Sequence, residues 1–246
     1  MLRARLRVFR APDDRAACER YSRSHREVLE FFDLGGVTSS RVDWFTDPNV
    51  LVVLLEEVES AEALGGIRLE RAGGGRPLPM ERALSKIEPK VRGLSSAAVP
   101  GGAAELCALF SSRRLRGAGM GALLTRVGLA LAFGSGVGRV FGICDARSLE
   151  TNLRLGFGIE ARWADQGTFR YPRPDLTAYV LSADLELRYG PDRPADGVIR
   201  EFRESLVGVA TRKTRDETLS IAWDLRCADG EGTNRDPKRS EVRNYS

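Results

Sequence analysis

The sequence predicts one α/β domain. It opens on antiparallel strands, and a strand–helix–strand unit follows in the middle. Three observations predict this. Residues 2–10 alternate apolar and basic, residues 50–55 are continuously apolar, and apolar residues recur at helical spacing from Met120 to about Phe133. Alternation suits a strand with one buried face, a continuous run suits a strand buried on both, and helical recurrence suits a packed helix. With 246 residues, 42% of them hydrophobic, the chain carries enough apolar side chain for a real core.

The elements follow in order. After the first strand, Pro12-Asp13-Asp14 punctuates, and Asp13 or Asp14 can cap a helix running to about Phe32, ended by Leu34-Gly35-Gly36. Asp47-Pro48-Asn49 is a turn signal before the apolar run at 50–55, and Gly65 to Glu70 makes the returning strand of a hairpin. A glycine loop at 73–77 and a short helix at about 80–90 lead to a strand over 104–111. The helix from Met120 stops at Gly134-Ser135-Gly136, a strand covers 139–144, and a short helix covers 146–155. Later strands are predicted near 159–169, 176–187 and 218–226, with a helix at 197–207. Gly230 to Ser246 is polar without apolar periodicity and reads as a disordered tail.

Several chemistries are excluded by counting. A single histidine, His25, rules out any site built from two. Its neighbours Ser24 and Arg26 point to an exposed helical face. Cys18, Cys107, Cys144 and Cys227 are scattered, with no CxxC pair, which argues against a zinc site and a disulfide framework. No metal is expected. Arginine supplies most of the basic charge, but acids are interleaved throughout and the net charge is only +4, so no nucleic-acid partner is expected. No stretch approaches the roughly 18 apolar residues of a membrane span, and the basic start lacks the apolar run of a secretory signal. The expected compartment is the cytoplasm.

One segment carries chemistry. Arg113-Arg114-Leu115-Arg116-Gly117-Ala118-Gly119-Met120-Gly121 joins a strand to a strongly periodic helix. Such a loop aims backbone N–H groups at one point, and the helix start adds partial positive charge, so a phosphate or pyrophosphate is its natural occupant. Arg116 can add a charge-assisted hydrogen bond. A P-loop would need Lys-Ser/Thr where Ala122-Leu123 stands, and a dinucleotide fingerprint would need G-x-G-x-x-G near the start of the domain.

Arg116 to Gly121 matches R-x-x-G-x-G and resembles the pyrophosphate loop of the GNAT superfamily of N-acetyltransferases. The order strand, loop, long helix, strand, short helix resembles that family too, as does Leu155-Gly156-Phe157 closing the short helix. The resemblance covers about 104–157 and extends to the hairpin at 50–70. It implies a GNAT-like mixed, splayed central sheet flanked by helices, with an acyltransferase domain over 1–190 and a helix-and-strand extension over 191–229. It implies that Arg116 and the amides of Gly117, Ala118, Gly119, Met120 and Gly121 hold the pyrophosphate of acetyl-CoA or another acyl-CoA. The backbone of Leu109, Phe110 and Ser111 would pair with the pantetheine arm, beside a splay from the strand containing Ile143. An N–H near Phe110 would polarise the acyl carbonyl. The amine then attacks directly, without a protein nucleophile.

The family often places a tyrosine where this chain has Asn152, leaving water, Tyr171, Tyr179 or no acid at all to protonate the leaving thiolate. Asp145 stands where an asparagine is common and can cap its helix. Glu105, at the start of the central strand, is the candidate general base, against a reading as a salt-bridged strand-end residue. Cys107 and Cys144 read as core residues, and Trp44, Phe45 and Asp47 as packing residues that could also line an acceptor pocket. Glu105 to Phe110 also resembles the corresponding strand of arginine N-succinyltransferases, and acyl-homoserine lactone and N-acyl amino acid synthases share this fold with longer acyl carriers. The expected reading is therefore an acyl-CoA-dependent N-acyltransferase acting on a small-molecule or peptide amine. Succinyl or long-chain donors and a non-catalytic CoA sensor are the alternatives. A homodimer is left open.

Overall fold

Alternating apolar and basic side chains make Leu2–Arg10 the first strand, β1, of a computed structural model that describes residues 1–73, 75–91, 102–189, 197–226 and 243–244. Asp14 accepts a hydrogen bond from the Ala17 amide (2.9 Å) and so starts α1, Arg15–Phe31. The hairpin β2, Val50–Glu57, and β3, Ala63–Arg71, follows, then α2, Pro79–Leu84, and β4, Ala103–Ser111. The central unit continues with α3, Met120–Gly134, β5, Arg139–Asp145, and α4, Ala146–Arg154. Next come β6, Gly158–Ile159, β7, Thr168–Arg170, β8, Thr177–Asp184, and α5, Leu185–Tyr189. The last described elements are α6, Gly197–Glu204, β9, Val207–Lys213, β10, Thr218–Asp224, and β11, Arg243–Asn244.

One mixed sheet runs β11-β9-β10-β1-β2-β3-β4-β5-β8-β6, with β7 also on β8. Its middle is buried on both faces, which is why β2 is apolar through its first six positions. On one side α1 covers Val50, Val52, Leu54 and Phe110, and α2 covers Ala103, Phe141 and Val180. On the other, α3 covers Leu51, Val53, Leu55 and Leu106 through Leu124, Val127 and Leu129, each fully buried and worth about 1.5–3 kcal/mol. No described helix is long and apolar enough to cross a membrane.

Three expectations need correction. The strand predicted over 159–169 is two short strands, because Ala164, Gln166 and Gly167 take left-handed backbone conformations that turn the chain between them. The helix predicted over 197–207 ends at Glu204, and β9, absent from the prediction, begins at Val207. His25 does not sit on an exposed face. It follows Tyr21 by one helical turn on the buried stripe of α1 and is only 3% exposed. Most of the segment expected to be disordered lies outside the described residues, and within it Arg243-Asn244 pairs in parallel with β9.

A bulge shapes the second half of β4. Gly66 faces Phe110 and Arg68 faces Cys107, so Ala108 and Leu109 together oppose Ile67. Ala108 takes φ +52°, and its carbonyl accepts the Tyr21 hydroxyl at 2.6 Å. Gly66 makes room for that tyrosine: a Cβ there would lie 2.5 Å from the ring and 2.7 Å from the Val53 carbonyl oxygen. Gly66→Ala is therefore expected to destabilise the fold by about 1–3 kcal/mol, read as a lower denaturant midpoint. An unchanged midpoint would remove the Tyr21 clamp from the account.

Candidate active site

The strands β4 and β5 are paired only at their starts. Three parallel partners join them, Ala103 with Arg139 through Glu105 with Phe141. Beyond that, β5 stays on β8 as far as Asp145, while bulged β4 stays on β3 as far as Ser111. The two ends part, and their facing backbone edges have no strand between them. Such edges take up an extended, amide-bearing ligand as though it were another strand. Leu109, Phe110 and Ser111 all lie in the parted stretch, and Leu109 is exposed there.

At the open end, residues Arg113–Leu115 make a short 3-10 turn, and Gly117 and Gly119 take φ +87° and +64°. Side chains with a Cβ rarely adopt these angles. Gly119 is the N-cap of α3 and offers no side-chain oxygen to its first amides. The N–H groups of Gly117, Gly119, Met120 and Gly121 have no protein acceptor among the described residues, whereas that of Ala118 is taken by the Leu115 carbonyl at 3.1 Å. Ala118 thus drops out of the expected donor set, and the other four remain available for an anion. Arg114 is committed to Glu57 and Glu62 at 2.9 and 3.1 Å. Arg116 has no carboxylate partner among the described residues.

Between this loop and the last two turns of α1 lies a cleft of about 390 Å³, walled by Val28, Phe31, Phe110, Ser111, Arg116 and Met120. Phe31 and Phe32 are half-exposed, with the Arg113 and Arg147 guanidiniums 4.4 and 5.2 Å from their respective ring centres. They thereby link the end of α1 to the loop before α3 and to the start of α4. Sequence reasoning missed this wall, although two adjacent aromatics at a predicted helix end were an available signal for it.

Glu105 lies elsewhere, buried under α2, where its Oε2 accepts the Met80 amide at 2.8 Å. It is not among the residues that wall the cleft. Burial pushes its carboxyl well above the usual carboxylate range. Beside it runs an ionic network: Glu70 with Arg68 (2.8 Å) and Arg76 (2.6 Å), and Arg76 with Asp47 (3.1 Å). Burial acts to raise the Glu70 carboxyl, but Arg68 and Arg76 hold it below its ordinary value. The Arg68 guanidinium also lies 4.2 Å from the Trp44 ring centre. Trp44 and Phe45 are core residues and Asp47 is an ion-pair partner, so packing accounts for all three.

The remaining candidates are accounted for locally. Cys107 is buried against Glu70 (3.3 Å), and burial drives its thiol well up; burial likewise pushes Cys144 up to about 11. Neither is an activated thiolate. Asp145 caps α4 through the Ser148 amide at 3.0 Å. Asn152 donates back to the Ser148 carbonyl at 2.9 Å. The Tyr171 hydroxyl accepts from the Thr38 amide at 2.5 Å, well away from the loop in sequence and on the α2 side. His25, packed against Tyr21 and Phe110, is held neutral: burial, then Arg68, lowers it to about 3.

A mixed sheet that parts beside a glycine loop at a helix start is a GNAT-type fold. Solved structures agree. The chain is similar to a CoA-dependent acyl-homoserine lactone synthase, BjaI, solved with SAM and isopentyl-CoA, at TM-score 0.52 and 16% identity, covering 80% of this chain and 98% of that one. It is similar to the acyl-homoserine lactone synthase LasI at TM-score 0.55 and 12% identity, covering 75% and 91%. It is similar to Escherichia coli ElaA at TM-score 0.52 and 10% identity, covering 73% and 98%. No family model and no curated protein matches the sequence.

Proposed function

We propose that this chain is an acyl-CoA-dependent N-acyltransferase that transfers acetyl from acetyl-CoA to a small-molecule or peptide amine in the cytoplasm. The observation that carries the reading is the parting of β4 from β5 directly beside four unclaimed amides at the start of α3. An extended pantetheine arm fits the first, and a pyrophosphate fits the second. Arg116 adds a charge-assisted contact. The thioester then lies along β4 near Phe110, where a backbone N–H polarises its carbonyl.

The amine nitrogen attacks the carbonyl carbon, forming the C–N bond and an oxyanion. The oxyanion collapses as the C–S bond breaks and CoA leaves as the thiolate. The proton lost by the amine passes through a chain of waters to Glu105, which lies under α2 and outside the cleft wall, and the thiolate takes a proton from solvent, since Asn152 is not an acid. The catalysis rests on positioning and on an electrostatic donor rather than on a covalent intermediate. A longer acyl donor is the second reading, favoured by the apolar wall that Val28, Phe31, Phe110 and Met120 give the cleft.

Thiol release from acetyl-, succinyl- and long-chain acyl-CoA across a panel of amines tests the reading. CoA binding without turnover on any pair would leave a sensor instead of an enzyme. Cys107→Ser and Cys144→Ser are expected to keep turnover within a few-fold of the parent, because neither thiol is ionised near neutral pH. Mass spectrometry that caught an acylated cysteine, with activity lost on its replacement, would overturn direct attack.

A further inference from the structure

Residues Thr214 to Glu217 join β9 to β10, and this turn rests on the glycine loop. The Arg215 amide donates to the Arg116 carbonyl at 3.2 Å. A Cβ built on left-handed Gly117 would lie 4.0 Å from the Arg215 nitrogen. The turn is internally fixed: the Thr214 amide donates to the Glu217 carbonyl at 2.9 Å, and Thr214 Oγ1 accepts from the amides of Asp216 and Glu217 at 3.3 and 2.9 Å. Its position is also fixed, because β10 lies in parallel register on β1 from Leu219 opposite Leu2 to Asp224 opposite Arg7. The C-terminal hairpin therefore delivers the backbone of Arg215 to the rim of the anion site.

The charge at that rim is unspent. The Arg215 side chain is exposed and has no carboxylate partner among the described residues. Arg114, just before the loop, is by contrast held by two glutamates. Within the turn, the Glu217 carboxylate is drawn to the Met1 amino group at 3.5 Å, which leaves exposed Asp216 as the opposing neighbour. An exposed arginine whose backbone sits at the rim of an amide cradle has the reach to bring its guanidinium to a phosphate that the cradle itself does not hold.

We propose that Arg215 is a further binding residue of the acyl-CoA site, one that grips the 3′-phosphate of the coenzyme. The proposal rests on the acyl-CoA reading: with the pyrophosphate on the α3 amides and Arg116, the 3′-phosphate is the group left outside the cradle. It also gives the extension over β9 and β10 a part in donor recognition.

Titration of CoA and of dephospho-CoA, which lacks the 3′-phosphate, into the parent chain, Arg215→Ala and Arg215→Lys tests it. Arg215→Ala should weaken CoA about tenfold, equivalent to about 1.4 kcal/mol, and leave dephospho-CoA unchanged. Arg215→Lys should recover part of the loss, and Asp216→Asn should tighten CoA slightly. The thermal midpoint of Arg215→Ala should not move, because the backbone bond to Arg116 remains. Unchanged CoA affinity, or equal losses on both ligands, would overturn the assignment, as would a midpoint that falls in step with affinity. A parent chain that binds neither ligand would instead overturn the acyl-CoA reading on which the proposal rests.

Discussion

Gly119→Asp is expected to abolish CoA binding while leaving the fold intact. Gly119 is the N-cap of α3, at φ +64°, and a Cβ there meets nothing within 4 Å. Aspartate tolerates the left-handed region better than most residues with a Cβ, so the strain should cost the helix little. Its carboxylate would bond the amides otherwise open to a phosphate and set a negative charge beside them. At about 4 Å and an effective dielectric of about 20, that repulsion is about 4 kcal/mol per charge pair, or roughly a thousandfold in affinity. Gly119→Asn separates the two contributions, since it competes for the same amides without the charge and should lose much less. The measurement is a CoA titration beside a melting curve. An aspartate variant that binds CoA as the parent does would remove the loop from the site.

That loop was legible because its glycines answer a local demand. Gly117 and Gly119 both sit at left-handed angles, and the periodic helix after them announces where the free amides must be. The hairpin β2–β3 and the strand β4 were legible for a similar reason, since apolar runs bounded by turn residues have few alternatives. The parting of β4 from β5 has no such signature. A bulge at Ala108 lies within the parted stretch, and an alanine at φ +52° looks in sequence like any other strand residue. What holds it there is Tyr21, far away in the chain, reaching the Ala108 carbonyl. His25 shows the same limit from the other side. Ser24 and Arg26 flank it in sequence, but its burial is decided by Tyr21 four residues before it on the helix. β9 was missed because Val207-Gly208-Val209 is short and keeps both valines exposed, so it lacks the buried alternation that marks β1. The cleft wall at Phe31 and the turn at Arg215 depend on which elements meet, which no local pattern records.

Glu105→Gln is the second large expected effect, a fall in kcat of about 10²- to 10⁴-fold if the carboxylate takes the amine proton through a chain of waters. CoA affinity should barely change, because the residue lies at the opposite end of β4 from the loop. The pH dependence carries the sharper information. Burial raises this carboxyl well above the ordinary range, so the residue is a base only once pH exceeds that raised value, and kcat should climb with pH through it. In the glutamine variant that acidic limb should be missing. Stability must move the opposite way. The folded chain holds a proton that the unfolded chain releases near the ordinary carboxylate value, so the parent loses stability as pH rises from there to the raised value. Glutamine keeps an oxygen to accept the Met80 amide and has no charge to bury, so the variant should lose less stability than the parent over that same interval. A glutamine variant that instead melts lower, with the pH–rate profile of its surviving activity unaltered, would make Glu105 a packing partner of α2. The amine would then have to arrive already deprotonated, and the rate would follow the amine's own pKa across a series of acceptors.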